Sequence, residues 1–171
     1  MTKQILSVLA LSFLLSSCGG GESKATEETV SEEEVVVEEL ATDENEPLTV
    51  LIEANDQMKY NLSRIDASAG QEITLTLKNV GEMPKASMGH NFILFQKGVD
   101  VQAFAMEAMN AKETDYLPSS LMSDVLAHTS LLGPGEEETI LFNAPDEAGP
   151  YKFICSFPGH FASMQGILFV Q

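Results

Sequence analysis

Cys155-Ser156-Phe157-Pro158-Gly159-His160-Phe161-Ala162-Ser163-Met164 brings a thiol, an imidazole and a thioether into ten consecutive residues. The residues just before it, Tyr151 to Ile154, read as a strand, and Pro158-Gly159 imposes a turn. Cys155 is therefore expected at the end of a strand, with His160 and Met164 carried by the loop beyond. A second imidazole, in Met88-Gly89-His90-Asn91, opens another apolar run 65 residues earlier. It joins the cluster only if the fold lays the two strands side by side, as neighbouring strands of a sandwich do.

Outward from this loop, strand signals dominate residues 48-171. Leu48 to Ala54 is β-rich, and Glu72-Ile73-Thr74-Leu75-Thr76-Leu77-Lys78 alternates apolar and polar residues with period two. Asn91 to Phe95, Thr139 to Phe142 and Gly166 to Val170 are further short apolar runs. Turn chemistry separates them at Asn55-Asp56, Ala69-Gly70, Gly133-Pro134-Gly135 and Gly149-Pro150. Val99 to Lys112 breaks the pattern: it is rich in Ala, Met and Glu, with Val101, Ala105, Ala108 and Met109 near helical spacing. Short strands plus one helical insertion predict an all-β antiparallel sandwich with a helix outside it.

Two imidazoles, one thiolate and a weak thioether make up the donor set of a blue copper site. Such a site accommodates both Cu(I) and Cu(II) with little rearrangement. The sequence resembles the azurins, bacterial blue copper proteins of the cupredoxin family, over essentially all of residues 48-171. The resemblance rests on Cys-x4-His-x3-Met at Cys155, His160 and Met164 together with Asn55-Asp56-Gln57-Met58, Met88-Gly89-His90-Asn91, Asp115-Tyr116-Leu117 and Ala127-His128-Thr129. It implies an eight-stranded Greek-key β-sandwich, the cupredoxin fold, with one helical flap.

Carried over position by position, the resemblance implies that His90, Cys155 and His160 are the equatorial copper ligands. Met164 is then the long axial ligand, and the Gly89 carbonyl approaches weakly from the opposite side. Asn91, Ser156 and Phe157 surround the ligands, Asn91 tying the two ligand-bearing segments together. Met58, Met88, Met109, Phe157 and Pro158 match the apolar patch where the family docks redox partners. Three departures stand out: the usual distant disulfide has no cysteines, Phe92 replaces a buried Trp, and Asn79 occupies the place of a pH-sensing His. None removes a ligand. His128, the third His, matches a surface position and is expected to have no ligand role. Glu136-Glu137-Glu138 reads as a solvated turn.

The front of the chain differs in character. Residues 1-17 hold Lys3 and the apolar run Ile5 to Leu15, which is long enough for an export signal and too short to span a bilayer. Leu15-Ser16-Ser17-Cys18 resembles the lipobox of bacterial lipoproteins, which implies acylation of Cys18. The competing readings are an ordinary signal peptide, or a disulfide between Cys18 and Cys155. Residues 18-47 then form an acidic linker: Gly19 to Pro47 holds eleven Asp+Glu against Lys24 alone. Such a segment cannot bury enough apolar surface to offset its ordering entropy, so disorder is expected. It would span roughly 30 Å as a flexible chain and about 100 Å at full stretch.

Composition bounds the function. Nine Lys+Arg against 26 Asp+Glu give a formal net charge of -17, which excludes nucleic-acid binding for want of clustered cations. The acidic surface implies partners that bear positive patches. An enzyme with a second copper would need more His than His128 supplies, so the chain is expected not to be an enzyme. The remaining classes are a one-electron carrier and a copper carrier or buffer, and a closed four-ligand site favours the former. The expected setting is the cell envelope, as a membrane-anchored lipoprotein on the periplasmic face or cell surface. Cytochromes and membrane-bound electron-transfer complexes are the partners this implies.

Overall fold

The computed structural model describes residues 46–171. The expected signal segment, the lipidation site Cys18 and nearly all of the linker lie outside the described residues. Two sheets hold the fold, one in the order β2-β1-β4-β7 and the other β3-β9-β8-β5-β6. The strands are β1 (Leu48–Asn55), β2 (Lys59–Tyr60), β3 (Arg64–Ala67), β4 (Glu72–Asn79), β5 (Ile93–Phe95), β6 (Val125–His128), β7 (Glu137–Asn143), β8 (Gly149–Ile154) and β9 (Gln165–Val170). Period-two sequence becomes one-sided burial. In β4, Ile73, Leu75, Leu77 and Asn79 point inward, and in β1 Val50, Ile52 and Ala54 do the same. Phe92, Phe95 and Phe153 fill the space between the sheets. Each such fully buried side chain contributes roughly 1.5–3 kcal/mol of transfer free energy.

Among the described residues there are nine strands where eight were expected, because the turn after Asn55 lets Lys59–Tyr60 pair back onto Ala54 and Asn55 before the chain leaves the sheet. Nor is the sandwich purely antiparallel. β1 runs parallel to β4 and β3 runs parallel to β9, since in each case the chain crosses to the opposite sheet before returning. The expected helical insertion holds α2 (Val101–Ala108), shorter than the Val99 to Lys112 run. Asp100 caps it by accepting from the Gln102 and Ala103 N–H groups, worth about 1 kcal/mol. Val101, Phe104, Ala105 and Ala108 are its buried face, with Phe104 edge-on to Phe95, whereas Met109 is left exposed. A second, single-turn helix, α1 (Lys85–Met88), directly precedes Gly89 and His90. The Glu run is not simply solvated. Glu136 accepts from the Gly133 N–H, Glu138 accepts from the Ser130 N–H, and Glu137 and Glu138 belong to β7.

One consequence matters for the site. β5 pairs with β8, Ile93 opposite Ile154, so the segment leading into β5 and the loop leaving β8 emerge at the same end of the same sheet. His90 and Cys155 belong to those two segments.

Candidate metal centre

The loop after β8 is shaped by two nested turns. The His160 N–H bonds the Phe157 carbonyl at 3.0 Å across Pro158-Gly159, with Gly159 at φ 84, a conformation that costs a glycine little. The Met164 N–H then bonds the His160 carbonyl at 2.8 Å, closing one α-turn that puts positions four apart on one side. Finally the Cys155 N–H bonds the Met164 carbonyl at 3.0 Å, so the loop returns to its starting strand. The x4 and x3 spacings are thus the lengths of two turns that bring positions 155, 160 and 164 together.

His90 arrives from the other strand. Its N–H and carbonyl both pair with Leu132, at 3.0 and 2.7 Å. Gly89 before it is pinned so closely that an added Cβ would lie 2.8 Å from the Lys85 carbonyl oxygen and 2.9 Å from the Leu131 side chain. No larger residue fits there without displacing α1 or Leu131.

The sequence expectation that His90 joins Cys155 and His160 is what the fold produces. Their donor atoms all lie within 4.8 Å of one another. Cys155 Sγ is 3.7 Å from His160 Nδ1, and the two imidazole rings are 5.1 Å apart. His90 and Cys155 are 0 % exposed and His160 only 2 %. Neither ring nitrogen of His90 has a hydrogen-bond partner of ordinary geometry. Buried polar atoms are seldom left so, and a cation between the three donors accounts for one of the two, since an imidazole turns a single nitrogen to a given ion. The protonation chemistry agrees. Burial pushes the Cys155 thiol up to about 12, against the pull of the Asn91 and Phe157 backbone. Burial, then the adjacent His90, pushes His160 down to about 4. Burial also lowers His90, with the Asn55 backbone and the Asp56 charge opposing. A metal ion that replaces the thiol proton supplies the positive charge this apolar site otherwise refuses. Two imidazoles and one thiolate fit copper, zinc being the other ion such donors suit.

Around the donors lies a hydrogen-bond lattice. The Ser156 N–H donates to Asn91 Oδ1 at 2.8 Å, and Asn91 Nδ2 donates to Ser156 Oγ at 2.9 Å and to the Asp115 carbonyl at 3.2 Å. Ser156 Oγ in turn donates to the Tyr116 carbonyl at 2.7 Å. Asp115 and Tyr116 are consecutive residues at φ 54 and φ 61, rare for non-glycine residues. That strained pair presents two successive carbonyls to Asn91 and Ser156. The motif Asp115-Tyr116-Leu117 was visible in the sequence; its backbone role was not. Tyr60 was missed altogether: its hydroxyl donates to the Asn91 carbonyl, joining β2 to the same lattice. Asn79, also buried, donates to the Leu132 carbonyl and so steadies the residue that pairs with His90.

The structure leaves Met164 fully buried, its backbone bonded to Cys155 and His160, and puts Phe157 against His160, ring centroids 4.6 Å apart. Met58 and Met109 are 38 % and 51 % exposed, with Met88 and Pro158 half-buried. His128 is exposed on β6, outside the trio.

Copper-binding proteins of the plastocyanin/azurin family match residues 48–171. Outer membrane protein H.8 of Neisseria gonorrhoeae is 43 % identical over 117 residues, 67 % of this chain and 63 % of that protein. The chain thus covers less than two thirds of the length of that relative. An azurin of Achromobacter denitrificans is 44 % identical over 124 residues, 68 % of this chain and 80 % of its own. Among solved structures, auracyanin from Roseiflexus castenholzii superposes with a TM-score of 0.64 at 36 % identity, covering 72 % of this chain and 96 % of that one. An azurin from Methylomonas sp. strain J gives 0.64 at 29 % identity, covering 72 % and 98 %. The fold is that of the cupredoxins, and His90, Cys155 and His160 are positioned for a single copper ion. With the match spanning its whole β-sandwich, this chain belongs to the plastocyanin/azurin family of copper-binding proteins.

Proposed function

We propose that the chain is a one-electron carrier with a type 1 copper site, working at a membrane face of the bacterial cell envelope. The observation that carries this reading is the sealed donor set: His90, Cys155 and His160 converge in the interior with two orphaned nitrogens among them. A catalytic metal keeps one position open to substrate, and donors this buried leave a small molecule no approach.

Bound copper supplies a reversible one-electron couple between Cu(I) and Cu(II). The protein's own residues do the rest. His90, Cys155 and His160 are the principal donors, with the Met164 sulfur and the Gly89 carbonyl as weaker ones. Asn91 and Ser156 lock the two donor-bearing segments together, so the donors keep one arrangement in either state. His160 alone of the three reaches the surface, and Phe157 lies against its ring, which makes this edge the shortest route out.

Met58, Met88, Met109, Phe157 and Pro158 supply an apolar rim suited to brief, low-area contact with a cytochrome or a membrane-bound electron-transfer complex. Acylated Cys18 and the linker after it would hold the domain at a membrane. An H.8 relative named as an outer membrane protein supports an envelope location. A single acyl chain anchors only marginally, so more than one is expected.

The copper(II)-loaded protein is expected to be intensely blue, and Cys155→Ser to bleach it while leaving the far-ultraviolet circular dichroism of a β-protein. A colourless copper-loaded wild type would overturn the assignment. Cys18→Ala should move the protein from the membrane to the soluble fraction; persistent membrane association refutes the anchor.

A further inference from the structure

Residues 48-171 contain seven cationic side chains: Lys59, Arg64, Lys78, Lys85, Lys97, Lys112 and Lys152. Arg64, Lys78 and Lys97 are paired with Asp66, Glu137 and Glu147. Among the described residues the other four have no carboxylate within 4.0 Å. Two of those four, Lys85 and Lys112, line one cleft of about 310 Å³ with Asp115, Tyr116, Leu131 and Phe157. In so acidic a chain, two free cations on one small cleft are a concentration of scarce charge.

The cleft also sits at the metal end. Phe157 lies against the His160 ring and stands edge-on to Tyr116, centroids 5.1 Å apart. Leu131 and the Lys85 backbone press on Gly89, next to His90. The walls therefore touch His160 on one side and the residue before His90 on the other. Its lining joins apolar side chains to two lysines and one acidic residue, Asp115.

We propose that this cleft receives a carboxylate-bearing edge of the redox partner, so that docking near the copper ligands is cation-to-carboxylate although the chain as a whole carries -17. This rests on the electron-carrier reading and adds the sign of the contact, which net charge alone predicts to be the reverse. Both signs act over different ranges. At physiological salt, charges beyond about 8 Å are largely screened, so the two lysines at the contact outweigh the distant acidic surface. Tyr116, Leu131 and Phe157 exclude water beneath the ion pairs, and Lys85 and Lys112 set the register of the contact.

The test uses the full-length, copper-loaded protein and two probes. Hexacyanoferrate(II) gives one electron to the oxidised protein, becoming hexacyanoferrate(III), with no bond made or broken; stopped-flow absorbance follows the rate. A hexaglutamate peptide serves as the carboxylate probe and is titrated into the reduced protein by amide NMR. From physiological ionic strength upward, where only charges within about 8 Å act, the expected result is a hexacyanoferrate rate that falls with added salt, against the rise that the net charge dictates. At physiological salt Lys85→Gln/Lys112→Gln should slow it about three- to tenfold, whereas Lys152→Gln leaves it unchanged. Hexaglutamate should shift the amides around Lys85, Lys112 and Phe157 in wild type and not in the double variant. A rate that rises with salt above physiological ionic strength, or a double variant no slower than Lys152→Gln, overturns the proposal. So do hexaglutamate shifts located elsewhere or absent. If hexaglutamate shifts the cleft but no probe exchanges electrons with the protein, the carrier reading fails while the carboxylate-binding cleft stands.

Discussion

Replacing Asn91 by Leu is the sharpest test of how the two donor segments are held. The side chain is 1 % exposed and supports three hydrogen bonds: one accepted from the Ser156 N–H and two donated, to Ser156 Oγ and the Asp115 carbonyl. Leucine keeps the volume and makes none of them. The buried Ser156 N–H then has no partner, which costs about 2 kcal/mol. The lost bond to Ser156 Oγ adds about 1 kcal/mol; the Asp115 carbonyl, on an exposed residue, can turn to water. The sum is about 3 kcal/mol. Unfolding entropy of about 2.1 cal/mol/K per residue over the domain converts this to a Tm lowered by about 11 °C. Thermal denaturation of metal-free wild type and variant, followed by circular dichroism, measures it directly. Ser156→Ala provides an internal scale, because it keeps the backbone bond to Asn91 and loses the two bonds of Oγ, to Asn91 Nδ2 and the Tyr116 carbonyl, at a cost of about 2 kcal/mol. A drop smaller than about 4 °C for Asn91→Leu, or one no larger than that of Ser156→Ala, would show that the lattice is not what joins the segments.

Three other outcomes are expected. Met164→Leu should retain copper and raise the reduction potential, because losing a sulfur donor weakens the hold on the more highly charged ion; voltammetry showing no change removes Met164 from the donor set. Gly166→Ala should lower stability to urea by about 3 kcal/mol, since its Cβ would fall 2.2 Å from Phe153 Cζ and 2.7 Å from the Ser63 carbonyl, and Phe153 is locked in the core; an unchanged midpoint contradicts that packing. Metal-free protein should lose stability as pH falls from 6.5 toward 4. Over that interval the unfolded chain binds a proton at position 160 while the folded protein, with His160 at about 4, does not. The loss attributable to this group is about 2–3 kcal/mol, read as the difference in pH dependence between wild type and His160→Gln, and equal slopes would refute it.

The sequence was most legible where contacts are local. β1, β4, β8 and β9 appear at or within a residue or two of their observed ends because alternating side chains are written into consecutive positions. β2, β3 and β6 escaped notice. Lys59–Tyr60 is too short to show a period, Arg64–Ala67 has Ile65 and Ala67 as its only inward residues, and the partly exposed Val125–His128 has no buried alternation. Parallel pairing was equally invisible, since the order in which strands assemble is a property of both sheets together.

The same division runs through the metal centre. Sequence by itself determined that Cys155, His160 and Met164 lie close together, because they are joined by two turns whose hydrogen bonds close within ten residues, and Pro158-Gly159 dictates the first of them. Only the tertiary structure decided that His90 would meet them. Closing a 65-residue separation requires β5 to seat beside β8, and that is settled by the whole buried core rather than by any stretch of sequence. It likewise decided that Asp115 and Tyr116 would turn their carbonyls onto Asn91 and Ser156, and that Lys85 and Lys112 would face one cleft. Residues distant in the chain acquire joint chemistry only when packing brings them within reach of one another.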